Sequence, residues 1–331
     1  MIMDLPKPSR PFVSVIIPVL NNAAGLAKCL EALARQEYPS DKYEILVVDN
    51  GSSDNVEDVV EAHSRAIMLF EDYPSQAAAR NRGILAAKGG ILAFTDSDCI
   101  PERNWIEKGT EMLIDVPGCE YVGGKISLFF QDPRKPTACE LFEFLFAFPQ
   151  EAYIREKGYS TTANLFACKS LFHAVGLFKR KSCTGSDEEW GKEVHARGYR
   201  QLYAEGAVIR HPARRTWKDL SRKQARIRLS RYRKALKESP PVTIRQRLLW
   251  GMQSPLLSQF PDQIRTACSD TKLAGIRQRL GVGSILLMRV AFDYYLRFSV
   301  ISGIHVDDDY GLLRGRGNDD LMHRDSRKKT L

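Results

Sequence analysis

Residues 91–98, Ile-Leu-Ala-Phe-Thr-Asp-Ser-Asp, pass from apolar to acidic within one short segment. The apolar run Ile91 to Phe94 is short and sharply bounded behind Gly89-Gly90, so it predicts a buried strand. Two carboxylates, Asp96 and Asp98, then fall just past the carboxyl end of that strand. Two more apolar runs stand upstream. Val13 to Ile17 is a β-branched run closed by Pro18, and Glu44 to Val48 is another, stopped by Asp49-Asn50-Gly51. Between them Leu26, Leu30 and Leu33 recur at helical spacing. Residues 54–65 are polar and helix-compatible, and Ala66 to Phe70 predicts a further strand. Ser75 to Lys88 is rich in Ala and Arg and predicts a helix capped by Gly89-Gly90. This βαβαβαβ order predicts an α/β fold, a mostly parallel central sheet flanked by helices on both faces, with ligands beyond the carboxyl ends of the strands. Asp49 and the Asp96/Asp98 pair fall on that one edge.

Past residue 100 the pattern changes. Tyr121 to Phe130 and Leu202 to Ile209 read as strands, Cys139 to Phe148 as an aromatic-rich helix, and residues 187–197 as another helix. Arg214 to Lys237 holds eleven Lys or Arg and a single acid, Asp219. Pro240-Pro241 breaks that stretch, and the chain is mostly helical to about Ile304. The expected organisation is a catalytic domain over 1–215, with halves 11–100 and 101–215. A basic helical extension over 216–304 and a Gly-, Asp- and Arg-rich tail over 305–331 follow.

Charge divides the same way. Of the net +9, residues 1–211 contribute −5 and residues 212–331 contribute +14. The asymmetry points to an anionic partner of the C-terminal part: a membrane surface, a nucleic acid or a phosphorylated substrate. No recognised nucleic-acid motif is present and aromatics are not interleaved with the basic run, so no nucleic acid is expected. The seven cysteines have neither zinc-site nor redox-motif spacing, which predicts reduced thiols and a cytoplasmic setting. The N-terminal residues lack an apolar signal core, and no run approaches ~20 apolar residues. In Ser284 to Ile304, Arg289, Asp293 and Arg297 stand four apart and form one polar stripe on an apolar helix. Such a helix either packs on the catalytic domain or lies in a membrane interface. Taken with the basic stretch, it leads us to expect peripheral attachment to the inner face of the plasma membrane, by anionic headgroups.

Two carboxylates two residues apart after a strand can share one hard cation with a diphosphate. Mg2+ or Mn2+ takes one or two carboxylates and completes its shell with phosphate oxygens and water. The cation then offsets charge on a departing nucleoside diphosphate. A solvated turn is the alternative reading of an isolated Asp-x-Asp.

In order along the chain come VSVIIPVLNN (Val13 to Asn22), VVDNGSSD (Val47 to Asp54), AAARNRG (Ala77 to Gly83) and LAFTDSDCIP (Leu92 to Pro101). NLFACKSLFHAVGLF (Asn164 to Phe178) and GSDEEW (Gly185 to Trp190) follow. The ordered set resembles the family 2 glycosyltransferases, of the GT-A fold, across about residues 11–215. The resemblance implies transfer of a sugar from a nucleotide-diphosphate sugar donor, with inversion at the anomeric carbon and Mn2+ or Mg2+ as cofactor. It implies a saccharide or lipid-linked acceptor. By the same resemblance, Pro18, Asn21, Asp49, Asn50, Arg80, Asp96 and Ser97 bind the nucleotide sugar. Asn50 stands where the family often has a second Asp, and its amide is expected to meet a base edge. Arg80 is expected to stack on the base, pair with phosphate, or be a surface helix Arg. Asp98, Asp96 and His211 would hold the metal. Asp187 is the expected base that takes the acceptor hydroxyl proton, with Ser186 in place of the family's Glu; a shift of one residue makes Glu188 the base. Trp105 and Trp190 fall on the acceptor side, with ordinary core as the other reading of Trp105.

Two other classes compete. A sugar nucleotidyltransferase would carry a Gly-rich phosphate loop and a Lys after the first strand, where this chain has Pro18-Val19-Leu20-Asn21-Asn22. A non-catalytic binder of sugar nucleotides or of an anionic partner does not need Asp96, Asp98 and Asp187 together.

Overall fold

The computed structural model describes residues 10–181, 184–241 and 243–304. The expected tail, 305–331, lies outside the described residues. The first ninety residues follow the alternation read from sequence: β1 (Val13–Val19), α1 (Ala23–Ala34), β2 (Tyr43–Asp49), α2 (Val56–Glu61), β3 (Ala66–Phe70), α3 (Gln76–Ala86) and β4 (Ile91–Thr95). Strand β1 runs through Pro18 instead of stopping there. Its pairing with β4 ends at Ile16, so the missing proline N–H falls beyond that ladder.

Helix α3 begins at Ser75, whose side chain accepts from the Ala77 N–H, but Gly89-Gly90 does not cap its end. The helix stops at Ala87 in an extended conformation. Gly89 has a different task. A Cβ there would stand 2.6 Å from the Ser14 nitrogen, 2.8 Å from the Phe12 oxygen and 2.9 Å from the Ile91 oxygen. Glycine lets the entry to β4 press against the backbone of β1.

After β4 come β5 (Ile100–Pro101), α4 (Trp105–Asp115), β6 (Cys119–Phe129), α5 (Ala138–Phe146), α6 (Gln150–Lys157), β7 (Asn164–Cys168), α7 (Lys169–Val175), α8 (Ser186–Ala196) and β8 (Arg200–Pro212). One eight-stranded sheet has the order β3-β2-β1-β4-β7-β6-β8-β5. Strands β3, β2, β1 and β4 are parallel, whereas β7 is antiparallel to both β4 and β6. Sequence reading passed over β7 and β5. Strand β7 is five residues leading straight into a helix, and β5 is only two, so neither shows a period of its own.

The described chain divides into two compact units. Unit 1 comprises 10–127, 148–181 and 186–211; unit 2 comprises 128–147, 184–185 and 212–304. Within unit 1 the core lies on both faces of the sheet. Val15, Ile17, Val47 and Ala93 face one way with Leu26, Leu30 and Leu33, while Ile16, Leu46, Leu92 and Phe94 face the other with Ala79, Ile84 and Phe172. Alternate residues of each buried strand therefore serve opposite layers. Each Val, Leu, Ile or Phe among them contributes about 2 kcal/mol by leaving water.

Unit 2 contains α5, α9 (Trp217–Glu238), α10 (Ile244–Met252), α11 (Pro255–Ser269) and α12 (Ile276–Ile301). Helix α12 packs against α5, α9, α10 and α11. Its core joins Cys139, Leu141 and Phe142 to Leu220, Val282, Ile285 and Leu286. No described helix is long and apolar enough to cross a membrane.

Candidate active site

Strands β1 and β2 end together, with Val19 opposite Asp49. The loops beyond are laced to each other. Asn21, at φ 52°, accepts through Oδ1 from the Ser53 N–H at 2.7 Å, and its own N–H reaches Ser52 Oγ at 2.9 Å. Both Asp49 carboxylate oxygens accept from the Ser52 N–H, at 3.1 and 3.3 Å. Asn50 donates its amide to the Glu71 carbonyl at 2.7 Å and the Tyr73 carbonyl at 2.8 Å. Contrary to expectation, those donors are spent on holding the segment after β3, leaving only its carbonyl for a base edge. Pro18 is buried inside β1, opposite Val48, so it shapes the strand end without presenting a surface to ligand.

After β4 the chain turns sharply. The Cys99 N–H donates to the Asp96 carbonyl at 3.0 Å, closing a four-residue turn. Asn22 Nδ2, from the loop after β1, donates to Ser97 Oγ at 3.0 Å and braces that turn. Residues Ile100 and Pro101 then pair antiparallel with Arg210 and Ile209 of β8. That register carried back one residue sets His211 against Cys99. His211 Nε2 accordingly stands 3.6 Å from Asp98 Oδ2. One ligand atom each from Asp98, Cys99 and His211 lie within 4.8 Å of one another.

The two carboxylates of the turn have different neighbours. Asp98 faces His211, while Asp96 accepts from Arg80 Nη2 at 2.9 Å. Arg80 is buried, so its guanidinium serves a carboxylate instead of the expected base or phosphate. It also lies within electrostatic reach of Asp187, in the first turn of α8. Asp187 accepts from the Glu188 N–H at 2.9 Å and the Thr162 N–H at 3.3 Å. Burial pushes its carboxyl up from the usual Asp range, against the opposing pull of Arg80 and of the two N–H donors. Glu188 pairs with Lys192 at 2.6 Å, one turn along the helix.

Both tryptophans placed on the acceptor side are core residues. Trp105 is fully buried; its Nε1 donates to Asn164 Oδ1 at 2.9 Å and its ring lies 4.8 Å from Phe166. Trp190 stacks on Phe172 at 4.3 Å and donates to the Gly176 carbonyl at 2.8 Å. Neither ring has a face left for a sugar. The aromatic residue beside the site is Phe148, its ring 4.8 Å from His211 and its φ at 54°. It belongs to the wall of an open cleft of about 520 Å³ that also includes Lys125, Arg155 and Tyr203. Nothing in the sequence around Phe148 marks it, because its neighbour is sixty-three positions away. Asn22, Cys99 and Thr162 were likewise missed as site residues, although Asn22 and Cys99 stand in the quoted motifs.

Carboxylate and imidazole ligands fit Mn2+ well and Mg2+ less well, since imidazole is the softer donor. Burial raises the Cys99 thiol well above the ordinary thiol range, and hard cations such as Mn2+ and Mg2+ favour oxygen and nitrogen donors over sulfur. Asp98 would then offer one oxygen and His211 one nitrogen, with Asp96 beside them. Such an incomplete shell suits a cation that shares its remaining positions with phosphate.

A parallel β3-β2-β1-β4 half bearing acidic turns at its carboxyl edge, beside an antiparallel half, defines the GT-A class of nucleotide-sugar enzymes. Residues 14–176 match the model of glycosyl transferase family 2. Over 222 residues the chain is 37% identical to glycosyltransferase AglE of Haloferax volcanii, covering 66% of this chain and 72% of that protein. The chain belongs to the family 2 glycosyltransferases, and it is a transferase. A Methanococcus voltae enzyme named as a dolichyl N-acetylglucosaminyl phosphate diacetamido-dideoxy-glucuronosyltransferase is 25% identical over 215 residues, covering 60% of this chain and 65% of its own. The fold matches the mannosyltransferase PcManGT of Pyrobaculum calidifontis, solved with GDP-Man and Mn2+. That match has a TM-score of 0.57 at 18% identity and covers 90% of this chain and 87% of that one.

Proposed function

We propose that this chain moves a sugar from a nucleoside diphosphate to a hydroxyl of a lipid-linked saccharide, inverting the anomeric centre. The work belongs to cell-surface polysaccharide or glycolipid synthesis, at the inner face of the plasma membrane. The observation that carries the chemistry is the gathering of Asp96, Asp98, His211 and Asp187 around one edge of the sheet, with Arg80 paired to Asp96 and within electrostatic reach of Asp187. Asp49 and the Asn21 loop receive the nucleoside. Asp98 and His211, with Asp96 beside them, would hold Mn2+ or Mg2+. A cation held by these residues would supply positive charge to offset that of the departing diphosphate.

The protein's own steps follow from placement. The Asp187 carboxylate takes the acceptor hydroxyl proton while that oxygen forms its bond to the anomeric carbon. The bond from the anomeric carbon to the β-phosphate oxygen breaks, and its electron pair leaves with the nucleoside diphosphate. The cleft walled by Phe148 and Tyr203 supplies an aromatic platform for a saccharide, and Lys125 and Arg155 line it with donors. Support for a lipid-linked acceptor comes from the +14 charge of residues 212–331 and from the dolichyl-phosphate substrate named for the Methanococcus relative. The test is hydrolysis of a panel of UDP- and GDP-sugars with Mn2+. One donor turned over by the intact protein, and by neither Asp98→Ala nor Asp187→Asn, is the expected result. No turnover of any donor in the presence of Mn2+ would defeat the reading.

A further inference from the structure

The second half of helix α12 turns its charged side chains away from solvent. Arg289, Asp293 and Arg297 are only 8%, 1% and 5% exposed. The sequence stripe they form points into unit 2. Asp293 accepts from Ser254 Oγ at 2.6 Å and from the Tyr232 hydroxyl, with Arg228 Nε at 3.6 Å. Arg297 lies 4.0 Å from the Trp250 ring centre and donates to the Trp250 carbonyl at 3.1 Å. Arg289 lies 4.4 Å from that of Phe142.

The opposite face carries no charge. Leu280, Ser284, Leu287, Ala291, Tyr295 and Phe298 follow at spacings of three or four, and all are exposed. Leu280 is 67% exposed, Leu287 60% and Tyr295 47%. Met252, at the end of α10, extends the patch: it is exposed, and its carbonyl accepts from the Tyr294 hydroxyl at 3.2 Å. Exposed arginines flank the apolar residues, Arg277 one turn before Leu280 and Arg245 one turn before Leu249.

A water-facing helix places charge outward and apolar residues inward. Helix α12 buries Arg289, Asp293 and Arg297 beside its inward apolar residues and exposes Leu280, Leu287, Tyr295 and Phe298 over about five turns, and burying an ion pair is weak as a stabilising device. An uncharged ridge rimmed by arginines, in a segment of net charge +14, matches an anionic bilayer: acyl chains meet the ridge and headgroups meet the rim.

We propose that α12 lies flat on an anionic membrane with Leu280, Leu287, Tyr295 and Phe298 inserted and Arg245 and Arg277 at the headgroups. The proposal deepens the membrane part of the preceding reading and does not depend on the sugar-transfer chemistry.

The test uses the full chain and vesicles of equimolar phosphatidylcholine and phosphatidylglycerol. The intact protein should co-sediment with them and ignore pure phosphatidylcholine. A Leu287→Glu/Tyr295→Glu double variant should lose at least about tenfold in partition. Leu85→Glu, at an equally exposed leucine of α3, should lose nothing. In Leu287→Trp, tryptophan emission should shift to the blue on vesicle addition, which a purely electrostatic contact would not produce. Unchanged partition of the double variant would overturn the proposal. So would conversion of a dimer to a monomer with vesicle binding intact, since the ridge would then be an interface between two copies. Nucleotide-sugar hydrolysis is measured on every variant. Lost binding with retained hydrolysis supports the docking face, whereas absent hydrolysis in the intact protein bears only on the enzymatic reading.

Discussion

At the scale of single residues, the site separates charge by partner. Asp98 is turned to His211 and Asp96 to Arg80, although one residue lies between them. Asp98→Ala should therefore remove most of the cation's stabilisation of the leaving group and cost at least ~10²-fold in turnover. His211→Ala should move the Mn2+ activation midpoint to higher concentration; an unmoved midpoint would take the imidazole out of the shell. Asp187 makes a prediction with two signs. Its raised carboxyl stays protonated to higher pH than an ordinary Asp, so with Asp187 as the proposed base turnover should fall as pH drops through a value above the usual carboxylate range. Asp187→Asn should lose ~10²-fold or more at neutral pH with donor binding intact. The same shift means that the folded state holds this proton more tightly than the unfolded chain. Its stabilising effect is present below the ordinary Asp pKa and is lost as pH rises through the raised one. The Asn variant, neutral throughout, should melt no lower than the parent at neutral pH. A normal rate for Asp187→Asn beside a dead Glu188→Gln would move the base one residue along.

Among the elements, close approach of β1 and β4 is what sets the two acidic turns side by side. Gly89 makes that approach feasible, and the atoms facing it are backbone, which does not swing aside. Gly89→Ala should cost about 1–3 kcal/mol, measured as a lowered urea midpoint at unchanged slope. An unchanged midpoint would show that the β4 entry can shift. The turn after β4 depends equally on β5. Two residues of antiparallel pairing are a small element, yet they convert a gap of 112 positions between Cys99 and His211 into adjacency.

For the molecule as a whole, the basic segment is less free than its composition suggests. Glu143, from α5, is almost fully buried and pairs with Arg214 at 3.0 Å and Lys223 at 3.1 Å. Burial works against the Glu143 carboxylate, but Lys223 and Arg214 pull it below the usual range. Burial and Arg214 hold the Lys223 ammonium down to about 8 against the attraction of Glu143. Glu143→Gln would leave two cations facing a neutral amide, and breaking a buried pair of this kind costs about 3 kcal/mol or more. Faster hydrogen exchange in α5, α9 and α12, with β1, β2 and β4 unaffected, is the expected signature; exchange rising evenly throughout would speak against two units. The lowered Glu143 carboxyl adds a pH arm. Its contribution is present above the ordinary Glu pKa and disappears as pH falls through the depressed one, so the Gln variant should lose the parent's acid dependence in unit 2.

Apolar runs and their polar stops in residues 13–98 determined the parallel half of the sheet and the placement of Asp49, Asp96 and Asp98 at its carboxyl edge. Local periodicity and turn chemistry act over a few residues, and those features are local. The tertiary structure decided what depends on distant partners: the β5–β8 register that delivers His211, the burial that raises Asp187, and the pairing of Arg80 with Asp96. It also removed Trp105 and Trp190 from the acceptor side, because an aromatic near the start of a helix looks the same in sequence whether it faces solvent or core. For α12 the spacing of Arg289, Asp293 and Arg297 showed that they share one face. Only packing against Tyr232, Trp250 and Phe142 decided that this face points inward, since a helix's period fixes which residues go together and its neighbours fix which side meets water.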